Sequence, residues 1–287
     1  MIEAADIHAA RGRLAGTIYE TPCPYSETLS ALTGARVFVK LENLQMTGSF
    51  KERGAANLLL QLSPDERRRG VVAASAGNHG LAVAFHAARL GVSAVIVMPE
   101  WAPLAKVTAA RRRGAEVVLH GDNFDEAYAR AREIEAARDL VFVHPFDDPR
   151  VIAGQGTIGL ELLEQVPGLD AVLVPVGGGG LLGGVALAVK TERPAVQVIG
   201  VQAQEVPGMA SALAAGTRVT VPAATRTGWS RWPRRRSPTP SCCCSRSRRR
   251  WSRARARYPS PPWPIAGWPS RVGRWRWSSP AAISTST

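Results

Sequence analysis

An α/β fold with largely parallel sheets is predicted by the order of apolar runs along residues 1–224 of this 287-residue chain. Short β-branched or apolar runs alternate with helical stretches, and two small-residue loops fall where a run of the first kind gives way to one of the second. Strands are expected at 37–41, 71–74, 94–98, 116–119, 141–143, 171–176 and 196–201, with helices in most of the gaps. Val71 to Ala74 ends at Ser75 and precedes Leu81 to Leu90, whose spacing suits a buried helix. Ala171 to Val176 leads through four glycines into Leu181 to Lys190. Arg67-Arg68-Arg69 and Arg111-Arg112-Arg113 fall near helix ends, where cations suit the dipole and a solvated face.

Composition divides the chain sharply. The formal net charge is +13, yet residues 1–224 hold 21 basic and all 23 acidic residues, a net of −2. Residues 225–287 hold 15 arginines and no acid, hence +15. This tail contains no Leu, Phe, Met, Lys, Asn, Gln or His, but seven of the eight tryptophans and nine of the 21 prolines. The first part has the length for a sizeable core. Glu3 and Asp6 replace the basic and apolar start of a secretory leader, and Cys23 is the one cysteine before the tail, so a reducing, cytoplasmic setting is expected. Cys242, Cys243 and Cys244 are adjacent, which suits neither a zinc site nor a disulfide framework, and no metal is expected.

Only four of the 36 basic residues are lysines, and Lys51 stands directly behind an aromatic ring in Thr47-Gly48-Ser49-Phe50-Lys51. An amine with a movable pKa can become a nucleophile or a Schiff base, whereas a guanidinium stays protonated. Lys51 is thus a candidate for chemistry, against the alternative of a surface lysine opening a helix near Glu52. Ser75-Ala76-Gly77-Asn78-His79-Gly80 lies at a strand-to-helix turn, where backbone N–H groups and the Asn78 side chain suit a carboxylate or a ring oxygen. The alternative is an ordinary turn with His79 at a helix start.

Gly177-Gly178-Gly179-Gly180 costs backbone entropy that a phosphate on a helix N-terminus would offset. Two other readings compete. Gly178, Gly180 and Gly183 satisfy a dinucleotide fingerprint, and residues 171–189 carry no charge over a length that could cross a bilayer. Six glycines and Pro175 within that run argue instead for strand, loop and helix, and no membrane partner is expected.

Taken together, residues 40–55, the Ser75 to His79 loop and the tetraglycine loop resemble the serine/threonine dehydratase family, fold-type II enzymes dependent on pyridoxal phosphate. The likeness continues through 118–124, Phe146-Asp147-Asp148-Pro149, 152–161 and Ile199-Gly200-Val201-Gln202, and covers residues 1 to about 224. It implies a two-domain fold like that of the tryptophan synthase β subunit. Residues 44–145 would form the small domain, with 1–43 and 146–224 in the large one. It also implies an amino-acid substrate and a homo-oligomer when the C-terminus is intact.

By resemblance, Lys51 holds pyridoxal phosphate and then takes the Cα proton of L-threonine or L-serine, giving 2-oxobutanoate or pyruvate and ammonia. Gly177, Gly178, Gly179, Gly180 and Leu181 would bind the phosphate, Asn78 the ring oxygen, and Phe50 would pack beside the ring. Ser75, Ala76, Gly77 and His79 would line the substrate carboxylate. Racemases of this family carry a serine at the place of Ala76, which has no proton to exchange, so dehydration is favoured over racemisation. Gln202 stands where some animal racemases have a metal-binding glutamate, which puts that metal site in doubt.

The tail from Thr225 admits two readings. One is a disordered arginine- and tryptophan-rich arm for nucleic acid. The other, preferred here, is translation in the wrong reading frame, because the residue types that would solvate or fold a linker are absent. Joining the third base of each codon to the first two of the next permits Ala-Asp-Gly-Leu from Thr225 to Trp229 and Ser-Gly-Gly-Asn-Ile from Ser279 to Ser284. Both resemble motifs of the dehydratases at these places. The chain as written lacks the second, whose serine meets the pyridine nitrogen in the family, so an inactive product is a further expectation.

Overall fold

Two separate parallel sheets form from the alternating runs, in a computed structural model that describes residues 2–203 and 207–217. The expectations for 225–287 lie outside the described residues. In chain order the elements are α1 (Ala4–Leu14), α2 (Glu27–Thr33), a 3-10 turn (Glu42–Leu44), α3 (Lys51–Leu60), α4 (Pro64–Arg69), β1 (Val71–Ala74) and α5 (Asn78–Arg89). Then follow β2 (Ala94–Met98), α6 (Leu104–Arg111), β3 (Glu116–Leu119), α7 (Phe124–Arg138), β4 (Val141–Phe142) and α8 (Pro149–Gln165). The last are β5 (Ala171–Pro175), α9 (Gly180–Glu192), β6 (Gln197–Val201) and α10 (Gly208–Ala215).

The four-stranded sheet has the order β3-β2-β1-β4, all parallel. Side chains alternate across it as a pleat requires. Val71, Ala73, Ile96 and Met98 pack with α3, α5 and α6 on one face; Val72, Ala74, Val95 and Val97 pack with Ala127, Ala131 and Ile134 of α7 on the other. Because both faces are covered, the strands read as continuous apolar runs. β5 and β6 pair in parallel, with Val172, Val174 and Val198 turned toward α8 and α9. On their opposite face Leu173 is 67 % and Val201 42 % exposed. The uncharged run 171–189 is thus strand, loop and helix, and among the described residues no helix is long and apolar enough to cross a membrane.

The strand expected at 37–41 does not form. Val37 O and the N–H groups of Val39 and Leu41 bond to Ser26, Pro24 and Pro22, leaving one isolated bridge between Tyr25 and Phe38. Pro22 and Pro24 have no N–H, so that side of the ladder cannot be completed. The helix expected to open near Glu52 begins at Lys51, and the one read from Leu81 begins at Asn78.

A buried ionic cluster joins these parts. Arg53 of α3, 0 % exposed, donates from Nε and Nη2 to Glu42 (both 2.8 Å) and from Nη1 and Nη2 to Glu161 of α8 (2.5 and 2.8 Å). Lys40 Nζ reaches the same Glu161 at 2.5 Å and also Thr21 O. Burial would raise the Glu42 carboxyl, but the Arg53 guanidinium outweighs it and holds the group below the usual carboxylate range. Glycines let the helices close around this cluster. A Cβ at Gly154 would stand 2.6 Å from Arg53 O, and one at Gly54 2.8 Å from Val151 O. Arg53→Met would leave the half-buried Glu42 without its guanidinium and Glu161 with Lys40 alone, and is expected to cost about 3–5 kcal/mol of stability. The urea midpoint followed by circular dichroism checks this, since a merely decorative surface pair would leave it unmoved.

Candidate active site

The turn that delivers Lys51 is built locally. Gly48 adopts φ 78°, and the Thr47 N–H and hydroxyl both donate to Glu52 Oε2, at 2.8 and 2.9 Å. Lys51 is then the first residue of α3, with its Nζ 5.2 Å from the centroid of the Phe50 ring. That Nζ donates to Pro145 O at 2.6 Å. Burial disfavours its charged form and pushes the ammonium from 10.5 down to about 8. An amine so close to neutrality is what nucleophilic attack on a carbonyl requires.

Behind β1, Ser75 is buried and its Oγ accepts from Gly77 N–H at 3.2 Å. Asn78 opens α5, and the N–H groups of Asn78, His79 and Gly80 bond to no acceptor within the described residues. Asn78 Oδ1 accepts from Lys106 Nζ of α6 at 3.0 Å; an ammonium only donates, so the amide oxygen must face it. The His79 imidazole turns away from the loop, with its Nε2 bonded to Val143 O at 2.9 Å and its buried Nδ1 unpartnered. Burial, then the charge of Lys51, pushes His79 down to about 3. What His79 offers an anion is therefore its backbone N–H, not its ring.

The tetraglycine loop leads into α9, whose first backbone bond runs from Gly183 N–H to Gly179 O. From Gly177 to Leu182, six consecutive N–H groups have no acceptor among the described residues. Gly179 has φ 91°, and a Cβ at Gly178 or Gly180 would stand 2.3 Å from the Phe146 ring or its carbonyl oxygen. Gly177 meets open space. Ala76 lies half-buried in the loop behind β1, and Leu181 packs against the second core beside Phe50.

The segment behind β4 ties these pieces together. Val143 O holds His79, Pro145 O holds Lys51, and Phe146 packs against Gly178 and Gly180. His144 Nδ1 accepts from the N–H groups of Phe146 and Asp147, at 3.3 and 2.7 Å, and so shapes the turn itself. Sequence reasoning gave no role to His144, Pro145 or Lys106. The scarcity of lysine pointed to Lys106 as much as to Lys51. For His144 and Pro145, the motif starting at Phe146 was the nearest signal. Among the described residues no group of three or more His, Cys, Asp or Glu is gathered as for a metal ion.

These residues fit pyridoxal phosphate. A buried, near-neutral amine could hold its aldehyde, six unengaged N–H groups at a helix start suit a dianionic phosphate, and glycines leave room for a close approach. Comparison with known proteins agrees. The chain is 53 % identical over 216 residues to L-threonine ammonia-lyase of Thermotoga maritima, covering 75 % of this chain and 54 % of that one. It is 50 % identical over 215 residues to the catabolic L-threonine dehydratase of Escherichia coli K12, covering 75 % and 65 %. It thus spans less than two thirds of either relative. Among solved structures, the processed form of threonine deaminase isoform 2 from Solanum lycopersicum matches with TM-score 0.73 and 42 % identity over 76 % of this chain and 63 % of that one. Maize serine racemase matches with TM-score 0.74 and 35 % identity over 77 % and 67 %. Residues 14–240 match the family described as pyridoxal-phosphate dependent enzyme, and with its lysine, loops and parallel sheets the chain belongs to that family.

Proposed function

We propose that this chain carries the framework for converting L-threonine to 2-oxobutanoate and ammonia, and L-serine to pyruvate and ammonia. The observation that carries the reading is Lys51, a buried amine brought near neutrality between two loops of unengaged N–H groups. Pyridoxal phosphate, when bound, supplies an electron sink for charge developing at the substrate Cα. Gly177, Gly178, Gly179, Gly180 and Leu181 would hold its phosphate through their N–H groups, and Asn78 would donate from its Nδ2 to the ring oxygen. Phe50 would bound the ring's site. Ser75 and the N–H groups of Asn78 and His79 would orient the substrate carboxylate, with Ala76 and Gly77 forming the wall beside it. Lys51 Nζ, once released, is the group that would take the Cα proton.

Ala76 supports elimination over racemisation, because a methyl group cannot deliver a proton to the opposite face of Cα. A racemase-like activity is the second reading, favoured by the likeness to maize serine racemase. Two separate sheets support the division into a small domain at 44–145 and a large one from 1–43 and 146–224. The free thiol of Cys23 accords with a cytoplasmic setting, and a homo-oligomer is the proposed assembly once the C-terminus is intact.

Residues 225–287 carry 15 arginines and no acid. The proposal that these residues are translated out of frame has a direct check. Bases displaced by one must encode Ala-Asp-Gly-Leu early and Ser-Gly-Gly-Asn late, and the restored chain should form 2-oxobutanoate from L-threonine where the present one does not. Stop codons in that frame, or salt-resistant binding of a specific nucleic acid by the tail, would point to the nucleic-acid arm instead.

Two further outcomes test the site. Pyridoxal phosphate added to the chain should give a visible band that borohydride abolishes, with the reduced adduct on Lys51; an adduct on Lys40, Lys106 or Lys190 would sink the assignment. Its rate of capture should rise about tenfold per pH unit below pH 8 and level off above it, since Lys51 is deprotonated from about 8 upward. An ordinary lysine would keep accelerating to about pH 10.4. With L-serine, the frame-restored enzyme should yield pyruvate with little D-serine; abundant D-serine would overturn the use made of Ala76.

A further inference from the structure

Glu52 lies next to the reactive lysine, is 0 % exposed, and is a carboxylate where an apolar side chain would be cheaper. Its Oε2 accepts both bonds from Thr47. Its Oε1 faces Nε2 of His86, itself 2 % exposed, at 3.5 Å, and among the described residues neither atom makes a hydrogen bond. Burial would raise the Glu52 carboxyl, but His86 and Thr47 together hold it below the usual carboxylate range. Nothing in the chemistry assigned to the site uses this pair.

Its position suggests what it does. α3 starts with Lys51 and α5 starts with Asn78 and His79, so the gap between the two halves of the site depends on how these helices lie along each other. Elsewhere they meet through Ala55, Leu58, Leu59, Ala82 and Val83. Apolar contact is non-directional and leaves axial sliding weakly opposed. A slip of one residue would shift one helix start by about 1.5 Å. A polar pair buried in an otherwise apolar interface opposes it, since any slip leaves both members unpaired.

We infer that Glu52 and His86 are a positioning pair that locks α3 to α5 in one register and so holds Lys51 Nζ between the Pro145 carbonyl and the Ser75–His79 loop. The inference rests on the reading of Lys51 given above. The titratable groups facing Lys51 are His79 from α5 and His144 from the segment behind β4, with Asp147 and Asp148 beyond His144. None of the Glu52 and His86 variants below alters any of them.

The test uses the full chain. With four lysines, methylation with a carbon-13 label gives four side-chain signals, and the one lost in Lys51→Arg is assigned to Lys51. In E52L/H86L, which replaces the pair by apolar side chains, the Lys51 signal should titrate about one pH unit or more above its position in the parent chain. Capture of pyridoxal phosphate by Lys51 should weaken at least about tenfold. The urea midpoint should hold or rise, as expected when a buried polar pair becomes hydrophobic. E52Q keeps an acceptor for Thr47 and offers an N–H to His86, so it should restore both readings. Should the double variant not fold, H86L leaves the Thr47 bonds in place and carries the same expectation for Lys51. A folded E52L/H86L or H86L with unchanged Lys51 titration and capture would overturn the inference, as would a parent chain whose Lys51 titrates like an ordinary lysine. A parent chain whose Lys51 titrates low yet captures no cofactor would instead sink the cofactor reading and leave the positioning pair supported.

Discussion

The constraint on which the other parts depend is the buried guanidinium of Arg53. A fully buried arginine is tolerable only if its planar fork meets carboxylates on more than one side, and here Glu42 and Glu161 do so. The two acids come from the 3-10 turn before the Lys51 loop and from α8 beneath it. Satisfying one side chain therefore fixes three elements, and α3 carries Lys51 only two residues upstream of that anchor. Lys40, on the same Glu161, extends the hold to the N-terminal segment through Thr21. Such a cluster is weak as a source of net stability, but it admits one arrangement where an apolar core would admit several.

The site's geometry follows from strand order. β4 is only two residues long, yet it pairs with β1, so the segments leaving both strands emerge side by side at the same edge of the sheet. One of them is the Ser75–His79 loop and the other is Val143–Phe146. Ligands in open parallel sheets collect at this carboxyl edge because helix starts and loose loop donors gather there. Phe146 then carries the contact across to the glycines of α9, which belong to the other sheet. Backbone carbonyls of Val143 and Pro145 meet His79 Nε2 and Lys51 Nζ, and burial holds both side chains toward their neutral forms.

Among the described residues the second sheet has two strands where the first has four. The two strands pair with one face on helices and with Leu173 and Val201 exposed on the other. The backbone donors for an anion are nonetheless already present, since they come from the start of α9 and from the loop before it, both within the described residues.

Much of this was legible in residue order. Six of the seven expected strands form, because each is an apolar run buried on the sheet or bounded by turn residues; the one at 37–41 fails because prolines stand opposite it. Lys51, both loops and the start of α9 are local patterns, readable from an odd lysine, an Asn-His turn and four glycines. Tertiary structure alone decided the rest. The direction of the His79 ring, the hold of Pro145 on Lys51 and the pairing of Arg53 with Glu161 join residues 64, 94 and 108 apart in the chain. Periodicity reports which face of an element is apolar, and it carries no record of which distant polar group a buried side chain will meet. That is settled when helices and strands pack and most buried donors and acceptors find a partner.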